Sequence, residues 1–91
     1  MVIATTHDQL APIALEAVKA GKHVMLEKPG ARKASELEPV ARTADEKNIC
    51  VKVGFNHRFH PSILKAKKMV DAGLLGPLMF IRGRYGHGGR P

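Results

Sequence analysis

The chain has 91 residues, the length of one small domain, and its 44% apolar, 25% charged composition is that of a folded, soluble protein. No apolar run approaches the ~20 residues that span a bilayer, and Met-Val-Ile-Ala-Thr-Thr at the start lacks the pattern of a signal peptide. The lone Cys50 excludes an internal disulfide and a cysteine-based zinc site, so a cytoplasmic location is expected. The net charge of +7 is uneven: residues 1–47 carry seven basic and seven acidic groups, whereas residues 48–91 carry eight basic groups against Asp71. A basic half of this kind suits nucleic acid, an anionic membrane or a phosphorylated small molecule, and equally the solvated face of a larger protein.

Val2-Ile3-Ala4-Thr5 reads as a short buried strand. Asp8 is placed as the N-cap of a helix whose apolar positions are Leu10, Ile13, Ala14, Ala17 and Val18, with Gly21 as its stop. Pro12 is expected within about its first turn, where proline is best tolerated. His23-Val24-Met25-Leu26 is a second buried strand, its histidine structural, ended by Glu27-Lys28-Pro29-Gly30. Ser35 and Glu38 fit a capping box for a helix running to about Lys47 through Leu37, Val40, Ala41 and Ala44. Residues 49–53 form the third strand, with Cys50 buried in it and Gly54 closing it.

Strands alternating with helices of about 12 residues give βαβαβ, hence a parallel sheet with right-handed crossovers. The pattern then changes. Pro61 suits the first position of a helix carrying Ile63, Leu64, Ala66, Lys67 and Val70, stopped by Gly73. Leu78 to Tyr85 alternates like a half-exposed strand of a different sheet, with Arg82 and Arg84 on one solvated face. A glycine-rich tail, residues 83–91, follows. The chain begins inside what reads as a central strand and stops as a second sheet begins, so it is expected to be a piece of a larger enzyme. Its bare sheet edge predicts poor solubility or oligomerisation on its own.

Ligands of open α/β sheets bind beyond the carboxyl ends of the strands. That rule gathers Thr5-Thr6-His7, Glu27-Lys28-Pro29 and Phe55-Asn56-His57-Arg58 on one edge. Hydroxyls, a carboxylate, an amine, an amide and a guanidinium together suit a polar ligand with ribose-like hydroxyls and some negative charge. Each has a plainer reading too: Thr5 and Thr6 as helix-capping residues, Glu27 and Lys28 as a solvated pair before a turn, Arg58 as a surface cation. The five histidines lack companion carboxylates at ligand spacing, and no metal site is expected. Phe55, Phe59, Phe80 and Tyr85 are too scattered for a base-stacking platform.

Residues 2–6 (VIATT), residues 20–29 (AGKHVMLEKP) and residues 53–61 (VGFNHRFHP), taken in order, resemble the Gfo/Idh/MocA oxidoreductases. Residues 73–77 (GLLGP) are similar to that family's turn before its substrate-domain sheet. The resemblance implies an α/β fold: residues 1–57 as the C-terminal part of a Rossmann dinucleotide-binding domain, and 58–91 as the start of an α+β substrate and oligomerisation domain. It also implies an NAD- or NADP-dependent dehydrogenase of a sugar, inositol, sugar acid or nucleotide sugar, homo-oligomeric when full length, without nucleic-acid or membrane partners. By the same resemblance, Thr5, Thr6 and His7 flank the cofactor's adenosine diphosphate and ribose. Glu27, Lys28, Pro29 and Asn56 complete the cofactor site, with Lys28 near both nicotinamide ribose and substrate, and Arg58 is close to nicotinamide or substrate. Lys28 is the expected catalytic residue, hydrogen-bonding the reacting oxygen, or acting as base if burial lowers its pKa.

Two departures mark a subgroup: Leu10 stands where many members have histidine, and Thr6 where they have proline. No G-x-G-x-x-G follows a strand, and the glycines of residues 83–89 open no helix, so the pyrophosphate turn is not in this chain. The family's Asp/His catalytic segment would lie beyond Pro91, and the 91 residues by themselves are expected to be inactive. The alternatives are a small basic nucleic-acid-binding module using residues 52–90, or a homologue that keeps the fold without turnover.

Overall fold

A computed structural model describes residues 1–84 and Gly86. The described residues form β1 (Val2–Ile3), α1 (His7–Lys19), β2 (Val24–Leu26), α2 (Ala34–Glu46), β3 (Val51–Val53), a 3-10 turn (Asn56–Phe59) and α3 (Pro61–Asp71). The chain divides into two units, one ending at Asn56 and one beginning at His57.

In the first unit the strands pair in parallel in the order β1-β2-β3, with Ile3 opposite Leu26 and Leu26 opposite Val53. The neighbouring row is Val2, Met25 and Lys52. Because side chains alternate along a strand, the two rows face opposite sides. Ile3, Val24 and Leu26 are buried in one cluster with Leu10, Ala14, Ala17 and Val18 of α1 and with Val40 and Ala44 of α2. Both helices therefore cover the same face. On the other face Val2 is 76% and Met25 55% exposed.

The helix stops follow one rule. In α1 the Lys22 N–H bonds the Ala17 carbonyl and the Gly21 N–H the Val18 carbonyl. The same pair of bonds closes α2 through Ile49 and Asn48, and α3 through Leu74 and Gly73. This is the Schellman arrangement, which needs a left-handed residue just past the helix; Gly21, Asn48 and Gly73 have φ of 72°, 54° and 70°.

The starts differ from expectation. Thr6, with extended backbone, is the N-cap of α1, so Asp8 lies inside the first turn, where its charge still suits the helix dipole. Lys33, not Ser35, precedes α2, and no side chain caps it. Pro12 and Pro39 each sit sixth in their helices, one turn further in than expected for Pro12; each lacks the N–H that would bond the Asp8 or Ser35 carbonyl. All three strands are shorter than their apolar runs, because pairing stops where the neighbouring strand stops.

Cys50 is exposed and precedes β3, a correction to its placement as a buried strand residue. His23 precedes β2 and accepts the Cys50 backbone N–H on Nδ1 at 3.0 Å, a structural role. In the second unit α3 starts at Pro61 as expected, behind His60, whose Nδ1 accepts the Ser62 N–H at 3.3 Å. Residues 78–84 are not a strand: a strand takes its hydrogen bonds from a neighbour, and none pairs with them among the described residues. Arg82 and Arg84 therefore share no strand face; Tyr85 and the end of the glycine-rich tail lie outside the described residues.

Candidate functional site

Parallel pairing brings the carboxyl ends of β1, β2 and β3 to one edge. The Glu27 N–H donates to the Ile3 carbonyl at 2.9 Å and the Gly54 N–H to the Leu26 carbonyl at 2.8 Å, so the three exits are tied side by side. A Cβ on Gly54 would lie 3.4 Å from the Leu26 oxygen and 3.9 Å from Glu27 Oε2. The third exit thus runs beside the Glu27 carboxylate.

After β1, Ala4, Thr5, Thr6 and His7 line an open depression of about 440 Å³. Thr5, Thr6 and His7 are all exposed. His7 is the first residue of α1, so its backbone N–H and that of Asp8 belong to the first helical turn, which has no intrahelical acceptors for its donors. That is a setting for an anionic or hydroxyl oxygen. Asp8 qualifies it: hydrogen bonds from the Gln9 side chain and then the Thr6 hydroxyl hold its carboxyl below the usual range.

After β2, Glu27, Lys28, Pro29 and Gly30 form a turn closed by the Gly30 N–H on the Glu27 carbonyl at 3.1 Å. The Lys28–Pro29 peptide is cis. Glu27, Lys28 and Pro29 are exposed, and among the described residues Lys28 makes no ion pair. Gly30 is buried at φ 89°, where a Cβ would lie 3.1 Å from Val53 Cγ2.

After β3, Asn56 opens the 3-10 turn, its N–H on the Gly54 carbonyl at 2.9 Å. Arg58 lies in the same turn, within the second unit, and is exposed. The first unit therefore brings together Thr5, Thr6, His7, Glu27, Lys28, Pro29 and Asn56. Among the described residues no group of three or more His, Cys, Asp or Glu could hold a metal ion.

Glu36 escaped the sequence reading. Its carboxylate accepts the Arg32 backbone N–H at 3.0 Å and pairs with the Arg32 guanidinium at 3.0 Å. The signal was an acidic residue three places after the N-cap, hidden because Lys33 is not a capping residue type.

The exposed donors, the N-terminal turn of α1 and the shared strand edge fit a dinucleotide. Residues 1–55 match the family model described as an oxidoreductase family with an NAD-binding Rossmann fold. The chain is 40% identical over 83 residues to levoglucosan dehydrogenase of Pseudarthrobacter phenanthrenivorans, covering 91% of this chain and 21% of that protein. It is 32% identical over 72 residues to D-xylose dehydrogenase of Paenarthrobacter nicotinovorans, covering 79% and 19%. The solved structure of myo-inositol 2-dehydrogenase from Lactobacillus plantarum superposes with a TM-score of 0.76 at 28% identity, covering 85% of this chain and 23% of that one. The chain thus spans about a fifth of the length of the relatives it matches. With the model match and the parallel sheet in agreement, the chain belongs to the Gfo/Idh/MocA oxidoreductase family and carries part of its NAD-binding Rossmann fold.

Proposed function

We propose that the full-length protein is a dehydrogenase that uses NAD or NADP to oxidise a hydroxyl carbon of a sugar, inositol or related polyol. The observation that carries this reading is the strand edge, where the turn bearing Lys28 stands beside the exits of β1 and β3. The kinship with levoglucosan, xylose and inositol dehydrogenases supports the substrate class. The same reading takes residues 1–57 as the end of the dinucleotide-binding domain and 58–91 as the start of the substrate domain, of a cytoplasmic homo-oligomer. The break between Asn56 and His57 supports that division. No described helix is long and apolar enough to cross a membrane.

Nicotinamide dinucleotide, when bound, supplies the hydride-accepting ring. In this reading Thr5, Thr6 and His7 hold its adenosine and ribose portion at the mouth of α1, with Glu27, Pro29 and Asn56 completing the wall. Lys28 donates a hydrogen bond to the reacting oxygen and stabilises negative charge there as the hydroxyl proton passes to a base of the Asp/His segment expected beyond Pro91. Arg58 orients nicotinamide or substrate. The basic surface of the second unit serves no nucleic acid, so DNA affinity with a steep salt dependence would count against the reading.

Lys28→Ala in the full-length protein tests it, with NAD and NADP each offered with inositol, xylose and levoglucosan. Turnover should fall by roughly 10²–10⁴ while the melting temperature holds, and Lys28→Arg should not restore it fully, because a planar fork does not replace a compact ammonium. Near wild-type turnover would remove Lys28 from the chemistry.

A further inference from the structure

The loop from Glu27 to Lys33 is fastened at more points than a surface turn requires. Its first residue is tied to β1 by the Glu27 N–H on the Ile3 carbonyl, and the turn closes on itself through Gly30. Gly30 and Ala31 are buried, Gly30 against Val53 and Leu37. Beyond them Glu36, reaching back from the first turn of α2, takes both the Arg32 backbone N–H and the Arg32 guanidinium at 3.0 Å. Its side chain is only 25% exposed. The Arg32 backbone N–H, foremost, holds the Glu36 carboxyl below the usual range, so the acceptor is charged at neutral pH. Lys28 and Pro29 form the exposed tip between these anchors. Lys33 gives α2 no side-chain cap, so Glu36 is the side chain that ties the start of this helix to the loop before it.

From this geometry we propose that Glu36 is a positioning residue for Lys28: by fixing Arg32 it restricts the travel of the loop tip and keeps the lysine at the strand edge. A charge-assisted hydrogen bond to a backbone N–H restrains the chain more firmly than a neutral one. Small misplacement of a reacting group is costly in rate although it breaks no contact with the ligand. This rests on the reading of Lys28 given above.

The test is a double-mutant cycle in the full-length protein loaded with nicotinamide dinucleotide, run well below each variant's melting temperature. Glu36→Ala should lower kcat about tenfold with little change in KM for cofactor or polyol. Glu36→Gln should recover most of the loss, because its amide oxygen still accepts the Arg32 N–H. In a Lys28→Ala background the same Glu36→Ala change should cost less than about twofold, since it acts through a side chain no longer present. An equal loss in both backgrounds, or wild-type kcat in Glu36→Ala, would overturn the positioning role while leaving Lys28 in place. Wild-type turnover in Lys28→Ala would overturn both.

Discussion

The two units respond differently to the same kind of sequence. In residues 1–56 two amphipathic helices and three short strands bury Leu10, Val18, Leu26 and Val40 almost completely. From His57 to Arg84 every described residue is exposed, including Phe80 at 80% and Ile81 at 82%. Yet α3 has a proline at its first position, a histidine cap and a Schellman stop of the same type as α1. Local signals suffice to write a helix, because its hydrogen bonds close within the segment. A strand has no such recourse. Residues 78–84 pair with no strand among the described residues, and so do not form one.

The contrast breaks most visibly at Leu26, the fully buried centre of the sheet. Leu26→Ala should cost about 3 kcal/mol, from lost transfer energy and the cavity left behind. In the 91-residue chain, Leu64→Ala on α3, where Leu64 is 44% exposed, should change stability by less than about 0.5 kcal/mol. Urea denaturation of the two variants, followed by circular dichroism, compares them directly. Equal shifts in midpoint would mean that α3 shares the core of the first unit.

The same division explains what could be read in advance. The parallel βαβαβ order, the apolar faces of α1 and α2 and the stops at Gly21 and Gly73 follow from period and from residue types with one strong preference. Starts were harder to place. Asp8 and the Ser35–Glu38 pair look like caps by type, but Thr6 and Lys33 hold the capping positions because the preceding strand or turn delivers the chain there in extended form. Cys50 falls just outside β3 because, although its carbonyl accepts the Val24 N–H, its own N–H goes to His23 Nδ1 and not to a strand backbone. For the candidate site, the rule of strand ends places Thr5, Thr6, His7, Glu27, Lys28, Pro29 and Asn56 at one edge of the first unit, whereas Arg58, which it gathers with them, belongs to the second unit. It said nothing of Glu36 or of the wedge at Gly30, since both depend on side chains that meet only after folding.

Gly30 offers the next largest effect and joins fold to site. It has a positive φ, and a Cβ there would press on Val53 Cγ2 at 3.1 Å, so the valine must give by a few tenths of an ångström. Gly30→Ala should destabilise the first unit by about 2 kcal/mol, combining backbone strain with a contact that must shift. Gly21→Ala carries a similar φ penalty within the same unit but meets nothing within 4 Å, so it should cost less. Thermal melts of the pair separate steric wedge from backbone preference. Equal losses would show that Val53 yields freely and that Gly30 is kept for conformation only.

The smallest effect sharpens the comparison at the helix ends. Asn48 closes α2 in the left-handed conformation with φ 54°, a role filled by glycine in α1 and α3. Asparagine tolerates this region better than most residues but pays more for it than glycine does. Glycine in turn loses more chain entropy on folding, which offsets part of the gain. Asn48→Gly should therefore raise the stability of the first unit by only about 0.5 kcal/mol, visible as a small rise in the melting midpoint. The reciprocal change Gly73→Asn, in a helix with no buried residue, should lower the helical signal of α3 without moving that midpoint. A fall in stability on Asn48→Gly would show instead that the asparagine side chain supplies more to this helix end than its backbone conformation costs.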